Sequence, residues 1–305
     1  MGMTVTWDLD PTAVKYRIYR DTKAFTPGSL PTDVVEVLKD AVIEVNGKGA
    51  HEYDDAVRQT VYHLMFCVED AAGNVSYSER TVMGYFPESG PGPTELLRGT
   101  WEFGYFGEVS STELPSYQDM INALLSAGAT ARSWVSTNPT AWNKCIVNGR
   151  IIFIPTTPLI ITTVTVGSSG SNPINSVKAT LLDGTVRLRN RDNEFSARLP
   201  SAHTDAIGVV NIGSTDLKDI KFINSELAMI AGLMTAGTSN SLVYPSGAKP
   251  DVNLSLGDYP VTQVLSSTFI SSNSVCSVNA TTGVLETTSV YNTTSSYRPI
   301  LELLF

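Results

Sequence analysis

Cysteine is scarce in this chain. Cys67, Cys145 and Cys276 are the only three, none in a CxxC or zinc-like spacing. An odd, scattered set argues against a disulfide framework and reads as buried free thiols in a reducing compartment. Positive charge is in deficit: 21 Lys and Arg stand against 30 Asp and Glu, for a net charge of -9. Nothing in that balance draws the chain to phosphate backbones, so nucleic acid is not an expected partner. No apolar run approaches the roughly 18 residues of a membrane span. The opening MGMTVTWDLD has neither a basic n-region nor an apolar h-region, so neither a secretory signal nor a membrane anchor is expected. There is no P-loop, no GxGxxG after a strand, no HExxH and no GxSxG.

What the chain does contain is strand-forming sequence. Its 305 residues fit two domains, and a hydrophobic fraction of 42% with 17% charged residues describes a folded, core-forming chain. The clearest folding instruction is WNKCIVNGRIIFIPTT, from Trp142 to Thr157. Two β-rich segments flank Asn148-Gly149, a dipeptide that accepts the positive φ angles of a tight hairpin turn. The exit strand Ile151 to Ile154 is apolar at every position, which predicts burial on both faces. Pro155 and Pro158 then end it.

In the first part, Tyr16 and Ile18 alternate with Lys15 and Arg17, the period of a half-buried strand. Val34 to Leu38 and Ala41 to Val45 are further strand candidates, and Asn46-Gly47 is a turn signal. In VYHLMFCV, Val61, His63, Met65 and Cys67 alternate with Tyr62, Leu64, Phe66 and Val68. The ordered set WDLD, YRIYR, EYDD and VYHLMFCVEDAAGNVS resembles a fibronectin type III domain over about the first 85 residues. The resemblance places Trp7 at the opening of strand B, Tyr16 to Arg20 in strand C, Tyr53 to Asp55 before strand F, and Val68 to Ser76 at the turn from F to G. It implies a β-sandwich in which strand A is short or absent, because few residues precede Trp7. That leaves an edge for a neighbouring chain to cover.

PESGPGPTELL, with three prolines and two glycines, reads as a stiff linker over residues 87–97. It separates a domain at 1–86 from a second at 98–305. In the second, GTWEFGYFGEV is dense in aromatics, and Ser116 precedes Tyr117, Met120, Ile121, Leu124 and Leu125 at helical spacing. Asp119 completes a capping box there, so a short amphipathic helix is expected from Tyr117 to Ala127, its stripe turned to the core. Ile160 to Val166 reads as a strand and Asp183-Gly184 as a second hairpin turn. Asn224 and Ser225 precede another short helix over Glu226 to Met234, and strands are suggested around Val261 to Ile270 and Gly283 to Val290. The apolar ending SYRPILELLF is expected to dock. The fold class is therefore mostly β: a fibronectin III-like β-sandwich plus a larger β-rich domain with one or two short helices.

Candidate chemistry is thin. His203 lies two residues from Asp205, but no nucleophile is tied to it by spacing, so it reads as a loop residue. Glu52/Asp54, Asp54/Asp55 and Asp216/Asp219 lack the ordered oxygen ligands of a calcium loop and read as solvated turn acids. No catalytic, cofactor-binding or metal residue is assigned, no cofactor is expected, and the chain is not expected to be an enzyme. The one concentration of positive charge is RLRNRDNEFSAR; Arg187, Arg189 and Arg191 are candidate subunit contacts, since a positive stripe on an acidic protein suits a second copy of itself.

The order WNKCIVNGRIIFIPTTPL, RLRNRDNEF, SELAMI, YRPILELLF resembles a domain of virion structural proteins of large tailed bacteriophages. The scaffold motif falls on Trp142, Lys144, Asn148, Gly149, Phe153, Pro155, Tyr297, Arg298 and Pro299, continuing to Leu303. The resemblance implies a non-enzymatic virion component of the tail, collar or baseplate, made in the host bacterial cytoplasm. Its expected partners are copies of itself, as a homo-oligomer, and other virion proteins. The rival expectation is a receptor- or glycan-binding surface or fibre protein, with Tyr and Trp stacking on sugars.

Overall fold

The computed structural model describes residues 2–129, 138–156, 183–202, 210–211, 225–235, 263–271, 274–279, 285–289, 295–296 and 299–305. The chain is mostly β and divides into two compact units, Met1–Glu88 and Ser89–Phe305.

The first unit holds β1 (Met3–Trp7), β2 (Ala13–Asp21), β3 (Val34–Leu38), β4 (Ile43–Val45), β5 (Lys48–Tyr53), β6 (Thr60–Asp70), β7 (Val75–Tyr77) and β8 (Thr81–Tyr85). They form one sheet in the order β1-β5-β4 and another in the order β3-β2-β6-β7, with β8 also on β6. Strand alternation decides what lies between them. Met3, Val5 and Trp7 of β1 meet Tyr16 and Ile18 of β2 and Tyr62 and Leu64 of β6 in a shared core, with Trp7 and Tyr16 ring centroids 5.7 Å apart. The alternate residues of β2 face outward: Arg17 bonds Glu36 of β3 and Glu69 of β6, a ladder across three strands. Met65 and Cys67, on the outer face of β6, are buried as well.

In the second unit the strands are β9 (Arg98–Gly99), β10 (Phe103–Ser110), β11 (Ala141–Val147), β12 (Arg150–Pro155), β13 (Asp183–Asn190), β14 (Asn193–Arg198), β15 (Val210–Asn211), β16 (Gln263–Ser271), β17 (Ser274–Asn279), β18 (Leu285–Ser289), β19 (Ser295–Ser296) and β20 (Ile300–Leu304). The helices are α1 (Tyr117–Ser126) and α2 (Glu226–Thr235). One antiparallel sheet runs β13-β14-β20-β12-β11-β10-β9; a smaller one runs β15-β16-β17-β18, with β19 also on β16.

The expected hairpin is β11–β12. Asn148 and Gly149 take φ of 51° and 74°, the left-handed pair that the tight turn requires. Ile151, Ile152, Phe153 and Ile154 are fully buried, so both faces of β12 are covered. Each such side chain contributes about 1.5–3 kcal/mol of burial. Helix α1 starts on the capping box formed by Ser116 and Asp119 and buries Tyr117, Met120, Ile121 and Leu124. The Tyr117 ring meets Trp142 edge-on at 5.9 Å. Ser225 caps α2 through the Ala228 amide at 3.1 Å. Its residues Leu227 to Ile230 are buried all round, as in an interior helix.

Two expectations change. The 87–97 stretch is no free linker: from Ser89 onward it is part of the second unit. Gly90 sits with φ of 71° where a Cβ would come within 2.7 Å of Leu303, and the Leu97 amide bonds the Tyr105 carbonyl at 2.8 Å. The described hairpin after β13 reverses at Arg191-Asp192, with Arg191 at φ 54°, because Asn190 pairs with Asn193. Asp183-Gly184 opens β13, before a register shift, and the segment it was expected to turn from lies outside the described residues. The strand expected at 160–166 lies outside the described residues, as does the Pro158 stop.

Candidate functional site

The arginine stripe is exposed as alternation predicts. Val186 and Leu188 turn inward, while Arg187 and Arg189 turn out from β13, which among the described residues is an edge strand of its sheet. Arg189 bonds Glu194 at 2.9 Å, Arg187 lies 3.9 Å from the same carboxylate, and Arg191 sits at the exposed turn. One glutamate therefore shares its charge between two of the three arginines, and the stripe stays net positive.

A second group of charges is buried, and it draws on residues 150 to 302. Ile152, Glu302 and Ser196 stand in register across β12, β20 and β14. Arg150 and Arg198 lie two residues along from this row, so they point to the same face. Glu226, the first residue of α2, meets them there. Arg198 donates from Nη1 to Glu226 Oε2 at 2.6 Å, from Nη2 to Glu226 Oε1 at 2.5 Å and from Nε to Glu302 Oε2 at 2.7 Å. Arg150 Nη2 lies 3.4 Å from Glu226 Oε1, and the Ser201 amide donates to Glu226 Oε2 at 2.9 Å. The Arg198 and Glu226 side chains are 2% and 1% exposed, which makes this a fully interior pair.

Burial alone would lower the Arg198 pKa and raise that of Glu226. Each opposes the other's desolvation, so the arginine shifts upward and the glutamate downward. Two arginines and two glutamates leave the cluster neutral. It holds the first turn of α2 on the sheet, and both carboxylates are taken up by arginines.

The opposite face of the same sheet holds Lys144, fully buried on β11. Its Nζ donates to the Pro93 carbonyl at 2.7 Å and to Ser89 Oγ at 3.1 Å, and lies 5.0 Å from the centre of the Phe106 ring. Desolvation lowers its pKa to about 8, against a weaker upward pull from Glu113. Beside Lys144 in the sequence, Asn143 accepts from the Tyr105 hydroxyl at 3.3 Å, while its Nδ2 has no hydrogen-bond partner among the described residues.

The other scaffold residues take interior places: Trp142 and Phe153 are fully buried, and the Phe153 ring meets Phe195 edge-on at 5.7 Å. Pro155 ends β12 opposite Trp142, and Pro299 is buried just before β20. Tyr297 and Arg298 lie outside the described residues, as do His203, Asp205, Asp216 and Asp219. In the first unit Asp55 is tied to Arg20 at 2.7 Å, and the Arg20 guanidinium stacks 4.0 Å from the centre of the Tyr53 ring. Glu52 accepts from the Gly2 amide at 2.8 Å. Cys67 and Cys145 are free and buried. His51 packs edge-on against Tyr53, and burial lowers its pKa.

Sequence reasoning missed Glu226 and Glu302 as partners of Arg198. A buried Glu at the first position of an apolar helix was the available signal. Comparison with protein-family models, with curated proteins and with solved structures finds no match to this chain.

Proposed function

We propose that this chain is a structural component of a tailed-bacteriophage virion, in the tail, collar or baseplate region, and that it assembles through contacts with copies of itself and with other virion proteins. In this reading it works in the virion and is made in the host bacterial cytoplasm. The first unit is a fibronectin III-like module. The second is the assembly domain, and neither is an enzyme.

One observation carries the reading. The segments that resemble phage virion proteins, NGRIIFIP, SELAMI and ILELLF, supply Arg150, Glu226 and Glu302 to one interior cluster, and Arg198, three residues beyond RLRNRDNEF, completes it. Their most chemically capable side chains are spent on holding a shape. The division of the first unit into β1-β5-β4 and β3-β2-β6-β7, with Trp7 and Tyr16 in the core between, supports the fibronectin-like reading. The exposed Arg187 and Arg189 on an acidic protein suit a like neighbour.

The test is the native mass of the purified chain and of any particle containing it. A closed ring of fixed copy number supports the reading. A monomer at every concentration, with no incorporation into particles, overturns it.

A second reading, a receptor- or glycan-binding surface protein, draws on the aromatic cleft beside Trp7 and Tyr16 in the first unit. Both rings are almost wholly buried, at 6% and 1% exposed, which leaves little face for a sugar to stack on. Binding on a glycan array by the isolated chain would favour it.

A further inference from the structure

We propose that the open side of the first unit accepts a strand: an extended, uncharged segment of another polypeptide chain adds to β1 and seats alternate apolar side chains in the cleft beside it. The inference rests on the geometry of this unit and not on where the protein works.

Among the described residues, strand β1 pairs with β5 alone, and β7 and β8 pair with β6 alone, so each ends its sheet. Between these edges lies a cleft of about 440 Å³. Trp7, Tyr16, Phe66 and Val68 line its apolar part, and Tyr77 and Lys48 stand at its rim. This volume is also that of a small-ligand pocket, about 300–1,000 Å³, so size alone does not choose the occupant.

Three features do. The free side of β1 offers a row of backbone donors and acceptors, which a strand satisfies and a compact ligand does not. The edges away from the cleft carry charge, with Glu36 on β3, Glu44 on β4, and Arg187 and Arg189 on β13, whereas β7 and β8, across the cleft, carry none. Strand β1 reads Met-Thr-Val-Thr-Trp with none, and its outward residues are the β-branched Thr4 and Thr6. The rim is electrically closed, because Lys48 Nζ lies 3.1 Å from Asp8 Oδ1. A neutral occupant suits that rim, and alternate apolar side chains suit the floor.

The test is amide hydrogen exchange on the full chain with a capped peptide of sequence Ser-Thr-Val-Thr-Val-Thr-Ser. The control peptide carries proline in place of both valines and so cannot form a ladder. The alternating peptide should slow exchange across residues 3–7 by on the order of tenfold or more at saturation, and the control should not. A chain carrying Thr81→Trp, an exposed cleft substitution, should keep its unfolding temperature and lose the protection. No protection at millimolar peptide, equal protection by both peptides, or protection at β3 or β13 in place of β1 would each overturn the proposal. So would protection of the cleft by simple sugars but not by the peptide.

Discussion

Arg198 and Glu226, 28 residues apart in sequence, meet as a two-pronged pair in the interior, at 2.6 and 2.5 Å. Taking two charges out of water is expensive, and only their close pairing offsets it. Glu226→Gln should therefore destabilise the second unit by roughly 3–5 kcal/mol, since Arg198 loses its main counter-charge. The double change Arg198→Met with Glu226→Leu should cost less than Glu226→Gln alone. Chemical denaturation of the unchanged chain, Glu226→Gln and the double variant checks both statements; a double variant less stable than Glu226→Gln would contradict them.

The same pair sets an acid limit. Glu226 is held below its ordinary value of 4.5 in the folded state. Its contribution is then fully present above about that pH and is lost as pH falls through the lower folded value. Unfolding of the second unit measured from pH 6 to pH 2 should show a steep fall below pH 4.5 that Glu226→Gln flattens.

Lys144 predicts a trend at the other end of the scale. Its folded pKa is about 8 against an ordinary 10.5, so between those values the unfolded chain binds more protons and stability rises with pH. The neutral amine can still donate to Pro93 and Ser89. Raising the pH from 7 to 10 should stabilise the second unit by on the order of 1–3 kcal/mol relative to Lys144→Met, measured under matched salt.

Gly49 lies under the Trp7 indole, and a Cβ there would run into the ring. Gly49→Ala should destabilise the first unit by roughly 1–3 kcal/mol through overpacking. Hydrogen exchange should then quicken in β1 and β5, while β11 and β12 keep their protection.

Reversing Arg187 and Arg189 to Glu removes two exposed pairs with Glu194, which are worth little, about 1 kcal/mol or less each. The unfolding temperature should barely move. Native mass measurement should show weakened self-association; unchanged assembly would remove the arginine stripe as a contact.

Local features were legible in the letters. The β11–β12 turn followed from Asn148-Gly149, the start of α1 from Ser116 and Asp119, and the faces of β2 from the alternation around Tyr16 and Ile18. All are decided within a few residues. The interior charges were not legible, because Arg198 and Glu302 are 104 positions apart and no periodicity links them. Lys144 could be placed in the scaffold motif but its burial could not be read, since that depends on Ser89 and Pro93, which composition alone had assigned to a linker. The turn at Arg191-Asp192 escaped notice for a related reason: it uses a positive φ at an arginine, where a glycine or asparagine was sought.

Strand β20 lies between β14 and β12, near the middle of the seven-stranded sheet. While the protein is being synthesised, the two strands on either side of that gap must wait, with bare edges, until residue 304 has cleared the ribosome. Closure of the second unit therefore waits on β20, and the nascent chain is at greatest risk of sticking to its neighbours until that strand has emerged.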